Sequence, residues 1–131
     1  MLKPVLLPVF AIMLTACTAP TRTDKDEFFV VNSGIVPTDK VPHFVDCLTD
    51  GFNKAHWGLT DFEVRQSKRA TGFRVETYTG SLNYLIVSAD IFNDGKVVLN
   101  ESSAAALVNT NGEKEAFTSC VSEFQLDVAR K

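Results

Sequence analysis

The residues best suited to acid–base chemistry or metal binding are the two histidines, His43 and His56. They lie 13 positions apart on or near one predicted helix, which separates them by about 220° around the helix axis at about 100° per residue. We therefore expect two surface or helix-end histidines rather than a shared metal site. Trp57 follows His56 and is expected to fill the core at the helix end, although it could serve as a ligand platform.

Other polar residues do not form a recognisable catalytic or cofactor motif. The chain lacks Gly-x-Ser-x-Gly, a phosphate-binding loop and the paired-cysteine spacing of zinc sites. Asp90, Asp94 and Glu101 surround one predicted hairpin, but their spacing matches no calcium loop, and we interpret them as solvated turn acids. We therefore predict no metal ion, no other cofactor and no enzymatic activity.

The N-terminus has the three-part layout of an export signal. Lys3 provides a basic start, residues 5–14 form a mostly apolar middle, and small residues lead to Cys17. An apolar middle of about 10 residues is too short to span roughly 30 Å of hydrocarbon as a helix. We therefore predict a leader that is removed rather than a permanent transmembrane anchor.

The sequence Leu14-Thr15-Ala16-Cys17 resembles the lipobox of bacterial lipoprotein precursors, in which Leu, a small or β-branched residue, and Ala or Gly precede a Cys. The resemblance covers only about the first 20 residues. It implies removal of residues 1–16, a diacylglyceryl group on the sulfur of Cys17, and an acyl chain such as palmitate on the new amino terminus. Several acyl chains, at about 0.8 kcal/mol per buried CH₂, would hold the protein on the membrane.

Thr18, rather than Asp, follows Cys17. This resembles the enterobacterial sorting pattern for lipoproteins that are passed to the outer membrane, where the protein would face the periplasm. The alternative to the lipoprotein interpretation is an ordinary signal peptide that is cut nearby, with Cys17 incidental.

The mature chain, from Cys17 to Lys131, is long enough for one domain with one core. The full chain carries a net charge of −3, and removal of the leader takes away Lys3 and no acid, which leaves −4. A mildly acidic protein without a basic block is a poor candidate for nucleic-acid binding and is not drawn to anionic lipid. The acyl chains are thus expected to be its sole link to the membrane.

The two cysteines beyond Cys17 are Cys47 and Cys120. If Cys17 is lipidated, they form an even pair in an oxidising compartment, and both lie on or beside the apolar stripe of a predicted helix. We expect a disulfide between them. The alternative is two reduced thiols that pack in the core.

Hydrophobic periodicity predicts a helix, four antiparallel strands and a second helix. The helices span about 39–54 and 112–127, and Thr110 with Glu113 matches a capping box before the second. We predict a lipidated cysteine and flexible polar spacer over residues 17–27 and a single α+β domain over residues 28–131. Its two layers would consist of the four-stranded sheet and both helices on one face.

The first hairpin has a predictable register. If Arg69 pairs with Gly72, Arg65 lies opposite Glu76. The apolar residues of both strands then share one face: Phe62, Val64, Phe73 and Val75.

The third predicted strand, 82–92, is apolar on both faces. We expect one set to continue the face of Phe62 and Val75: Leu82, Tyr84, Ile86 and Phe92. On the opposite face we expect an apolar interaction patch, which Val98 of the next strand joins: Leu85, Val87, Ile91 and Val98. Either Phe28–Val31 folds back over this patch, or the patch contacts a second copy or another protein.

We therefore predict a membrane-tethered periplasmic lipoprotein that acts as a protein-interaction or envelope assembly module. Its partner would be an unknown envelope protein or a second copy of the chain. The alternatives are an inhibitor that inserts the loop Ala104–Gly112 into a target enzyme, and a small periplasmic enzyme with a pocket around His56 and Trp57.

Overall fold

The computed structural model describes residues 27–59 and 61–129. Five strands are present, at β1 (Phe28–Ile35), β2 (Phe62–Arg69), β3 (Gly72–Thr79), β4 (Leu85–Phe92) and β5 (Lys96–Ser102). They form one antiparallel sheet in the order β1-β5-β4-β3-β2. The helices are α1 (Val41–Ala55) and α2 (Asn111–Ala129), and short 3-10 helices lie at Thr38–Lys40 and Ser103–Leu107.

The predicted leader, Cys17 and most of the predicted spacer lie outside the described residues. Within the part of the chain that the structure describes, neither helix is both long and apolar enough to cross a membrane.

The predicted α+β class, with an antiparallel sheet and two helices, is confirmed, but the predicted number of strands is wrong. The extra strand is β1, which pairs with β5 from Phe28 opposite Ser102 to Ile35 opposite Lys96. The register shifts between Val30 and Asn32. Such a bulge breaks the alternation of side chains by which a strand is identified in a sequence.

The helix α1 buries the stripe that its spacing predicts. Its buried residues are Val41, Phe44, Val45, Leu48 and Phe52. The ring of Phe44 meets the rings of Phe117 and Phe124 of α2 edge-on, with centroids 6.2 and 6.1 Å apart. Both helices therefore contribute aromatic side chains to the same core cluster.

The helices cover one face of the sheet. The hydroxyl of Thr49 in α1 donates to Gln66 of β2, and the side chain of Val121 in α2 lies against Gly34 of β1. The register of β2 and β3 is confirmed, with Arg69 opposite Gly72 and Arg65 opposite Glu76.

The assignment of faces in β4 is wrong. Val75 pairs with Ala89 and Thr77 with Val87, so the odd-numbered residues of β4 point toward the helices. The predicted patch is therefore largely core: Leu85 is 4% exposed, Val87 0% and Ile91 1%. Val98, opposite Asp90 and Ser33, is the one member that lies on the face away from the helices.

The pairing of β3 with β4 explains this reversal. Beside the connection 80–84, in which Asn83 adopts a left-handed backbone with φ of 53°, Tyr78 lies opposite Leu85. The register then shifts by one residue, so that Thr77 lies opposite Val87. Because side chains alternate with a period of two, an odd displacement of the register moves every side chain to the other face.

Cys47 and Cys120 form a disulfide, with their sulfur atoms 2.11 Å apart and their Cα atoms 6.1 Å apart. Along the same seam, a Cβ added at Gly51 would lie 2.5 Å from Cβ of Ala116, and one at Gly112 would lie 2.6 Å from Cβ of Ala55. Three small residues of α1, spaced four positions apart, thus contact three small residues of the antiparallel α2 with the same spacing. This spacing brings the two backbones close together.

Candidate binding surface

The two edges of the sheet differ in charge. The edge strand β2 reads FEVRQSKR, and four of its eight residues are charged: Glu63, Arg65, Lys68 and Arg69. The edge strand β1 reads FFVVNSGI and carries no charge. Charged side chains on an edge strand oppose pairing with another chain. The edge at β2 is therefore protected, and the edge at β1 is not.

The charges of β2 are held in place by their neighbours. The guanidinium of Arg65 donates to the carboxylate of Glu63 at 2.9 Å and to the side-chain oxygen of Asn83 at 2.7 Å, and it lies 4.1 Å from the ring centre of Tyr78. The hydrogen bond from Arg65, together with its positive charge, lowers the pKa of the Glu63 carboxyl below its ordinary value. Glu63 therefore stays ionised at this edge at neutral pH.

The strand β1 exposes large apolar side chains along most of its length. The exposed fractions are 50% for Phe29, 65% for Val30, 41% for Val31 and 69% for Ile35. Single exposed apolar residues are common on protein surfaces, but a contiguous group usually marks an interaction site. Among the strands that the structure describes, the strand with this group has a neighbour on one side only.

A shallow groove runs beside the first half of β1. Phe29 and Val31 form one wall, and Ala105, Val108 and Lys114 belong to the other. Its apolar walls and the ammonium group of Lys114 would suit an apolar side chain next to a polar or acidic one. The ammonium also lies 3.2 Å from the carboxylate of Glu101.

The strand is fixed to the rest of the domain on its inner side. The side-chain amide of Asn32 donates to the hydroxyl of Thr118 at 3.4 Å, and Gly34 packs against Val121. Near its end, the amide of Gln125 donates to the carbonyl of Ile35 at 3.4 Å. These contacts with α2 hold β1 in position and leave Phe29, Val30 and Val31 exposed.

The histidines are in different environments. His43 is exposed, whereas His56 is buried, shares a hydrogen bond between its Nε2 and the carboxyl group of Glu113, and stacks on Phe62 with ring centres 4.0 Å apart. Trp57, predicted to fill the core, is 88% exposed, so this prediction is wrong. His56 is thus buried, whereas Trp57 projects into solvent, so their side chains lie in different surroundings. Across the described residues, no group of three or more potential metal ligands is found.

The pairing of His56 with Glu113 differs from the predicted capping box. Glu113 is fully buried, and its second carboxylate oxygen has no hydrogen-bond partner. The hydroxyl of Thr110 donates instead to the carboxylate of Glu101 at 2.7 Å. Sequence spacing within one helix could not reveal a partner that lies 57 residues away.

The unprotected edge was also missed from the sequence, although a signal exists. The strand-like run FFVVNSGI is uncharged and FEVRQSKR is charged, and this contrast separates an open edge from a guarded one once the strand order shows that both strands are outermost. Comparison with known proteins gives no match to this chain among protein-family models, curated proteins or solved structures.

Proposed function

We propose that the mature protein is a lipid-tethered module of the cell envelope that binds an extended segment of another protein along the outer edge of β1, beside Phe29, Val30 and Val31. The observation that carries this proposal is the uncharged edge strand with exposed Phe29, Val30 and Val31. The module would face the periplasm from the outer membrane, held by acyl chains on Cys17.

Addition of a strand to a sheet edge is a common mode of peptide recognition. The backbone groups of the edge strand supply the hydrogen bonds, and every second side chain of the added segment falls on the same face. On the helix side of β1, the groove formed by Phe29, Val31 and Val108 would receive such side chains. The backbone thus provides affinity, and the groove provides preference for a sequence.

The tether supports the same function. Residues 18–26 separate Cys17 from the first described residue, and β1 begins at Phe28. A short link confines the domain near the membrane and raises its effective concentration toward other envelope proteins. A weak interaction along one strand would then be sufficient.

Site-specific photocrosslinking in cells tests the proposal. We would place a benzophenone side chain at position 30 and, as a matched control, at position 68 on the opposite edge, since Val30 and Lys68 are both exposed strand residues. We expect an adduct with another protein from position 30 and none from position 68. The substitution Val30→Lys should abolish a crosslink formed from position 31, because a charge opposes strand addition.

The size and position of the adduct separate the alternatives. An adduct of twice the mass of the mature protein would identify a second copy as the partner. Equal crosslinking from both edges would refute a specific role for β1. A crosslink to an enzyme from Leu107, which is 90% exposed in the predicted inhibitory loop, would instead support the inhibitor hypothesis.

A further inference from the structure

The polar spacer joins the domain at one particular end of the sheet. Because neighbouring strands are antiparallel, β1, β4 and β2 begin at this end and β5 and β3 finish there. The backbone amide of Ser103, just after β5, donates to the carbonyl of Glu27 at 2.8 Å. α1 ends and α2 begins at the same end, where Gly112 packs against Ala55. We name this the tether end.

The loops at the tether end expose four large apolar side chains. Their exposed fractions are 88% for Trp57, 59% for Leu59, 64% for Leu82 and 90% for Leu107. These residues come from three separate connections, 56–61, 80–84 and 103–110. A backbone hydrogen bond from Gly80 to Asp61 joins the first two connections.

The opposite end of the sheet is different. Its connections contain exposed polar residues such as Asp39, Asn93 and Asp94. Its exposed large apolar side chain is Ile35, at the end of β1. The apolar loop residues are therefore concentrated at the end where the tether attaches.

We propose that Trp57, Leu59, Leu82 and Leu107 dip into the surface of the membrane that carries the acyl chains. This inference rests on the lipid tether of the proposed function. Cys17 lies ten positions before Glu27, and a chain of that length spans at most roughly 36 Å. The tether end is thereby kept within reach of the bilayer whatever the conformation of the spacer.

The chemistry of these residues suits a lipid surface. Tryptophan favours the interface between headgroups and hydrocarbon, where its ring is apolar and its N–H is hydrated. Apolar side chains at such surfaces reach about 5–10 Å into the boundary. The four side chains project from three separate loops. A bilayer accepts separate protruding side chains, whereas a folded partner needs a surface shaped to fit them.

Charge contributes little to this contact. Lys54 and Lys114 lie near the tether end together with Glu27, Asp61 and Glu101, so the local charge is mixed. The contact should therefore form on uncharged lipid and should persist when salt screens charges. The strands would then lie along the membrane normal. In this orientation the edge at β1 would not face the membrane and would stay accessible to a partner.

Trp57 is the sole tryptophan of the chain and serves as the probe. We would insert the full mature lipoprotein into vesicles of phosphatidylcholine and repeat the measurement with lipid brominated along its acyl chains. We expect bromine to quench the Trp57 emission, and we expect this quenching to be the same in low and high salt. The triple substitution Leu59→Ser, Leu82→Ser and Leu107→Ser should reduce the quenching, while Ile35→Ser at the opposite end should not.

Flotation of the vesicles separates this inference from the proposed tether. Protein that fails to float with the vesicles would refute the lipid anchor itself. Protein that floats but shows no quenching would refute the membrane contact and leave the anchor intact. A photocrosslink from Leu82 to an envelope protein, in place of quenching, would assign the apolar loops to a protein partner and overturn the inference.

Discussion

At the scale of single residues, the pair of His56 and Glu113 is the most unusual feature. Burial of an ionisable side chain is costly unless it is paired, and here a carboxylate without solvent contact meets one histidine nitrogen. His56 follows the last residue of α1, and Glu113 is in the first turn of α2. The pair therefore connects the two helix ends beneath the stacked ring of Phe62.

Removal of one partner should be destabilising. Glu113→Ala leaves a buried histidine nitrogen without its hydrogen-bond partner, and we expect a loss of roughly 1–3 kcal/mol in the free energy of unfolding. Urea unfolding followed by circular dichroism measures this loss. Glu115→Ala, at an exposed site of the same helix, is the control and should change stability by less than about 0.5 kcal/mol. Equal stability of the two variants would contradict a structural role for the pair.

At the scale of elements, the contact between the helices depends on residues at every fourth position. Cys47, Gly51 and Ala55 of α1 meet Cys120, Ala116 and Gly112 of α2 in antiparallel order. The sequence contains this spacing on both helices, but helical periodicity was interpreted only through the large apolar residues. Small residues at this interval indicate a close approach of backbones as clearly as large ones indicate a core.

Gly51 provides a test in which two effects have opposite signs. In an isolated helix, Gly→Ala is stabilising by about 1 kcal/mol. Here the new methyl group would lie 2.5 Å from Cβ of Ala116, so the helices must separate. We expect Gly51→Ala to lower the free energy of unfolding by about 1–3 kcal/mol, as overpacking does. Asn53→Ala, exposed on the same helix, should be neutral or stabilising, and a stabilised Gly51→Ala would show that the seam has room.

The sequence was sufficient for features that are local. The buried stripe of α1 and the register of β2 and β3 follow from spacing and from one short turn. The face of β4 does not, because it depends on a one-residue register shift between Thr77 and Tyr78, which the alternation of side chains does not reveal. The strand β1 was missed as a sheet member because its partner, β5, is far along the chain and a bulge interrupts its pattern.

At the scale of the whole molecule, the disulfide connects positions 73 residues apart. On the chain-entropy account, such a loop stabilises the folded state by roughly 4 kcal/mol, a large part of the stability of a small domain. We expect the double variant Cys47→Ala and Cys120→Ala to lose about this amount in urea unfolding. Cys17→Ser is the matched control, because this variant should lose its attachment to the membrane and keep its free energy of unfolding in urea. Two thiols that react in denaturant without reductant would contradict the disulfide.

The candidate surfaces could be predicted only in part from the sequence. The motif at Leu14–Cys17 predicts a tether without any structure, and it remains a prediction. The edge at β1 needs the strand order, since nothing local shows that Phe28–Ile35 is outermost. The apolar residues of the tether end lie in three connections, and only the antiparallel arrangement of the strands brings those connections together.

The disulfide has a mechanical consequence. The covalent loop from Cys47 to Cys120 includes β2, β3, β4 and β5, and it leaves β1 outside. A force between the membrane and a segment bound to β1 would pass along that strand and would not cross the core. The hydrogen bonds between β1 and the bound segment would bear this load together, in shear. The domain could thus act as a coupling under tension, in which one strand carries the force and the cross-linked remainder stays folded.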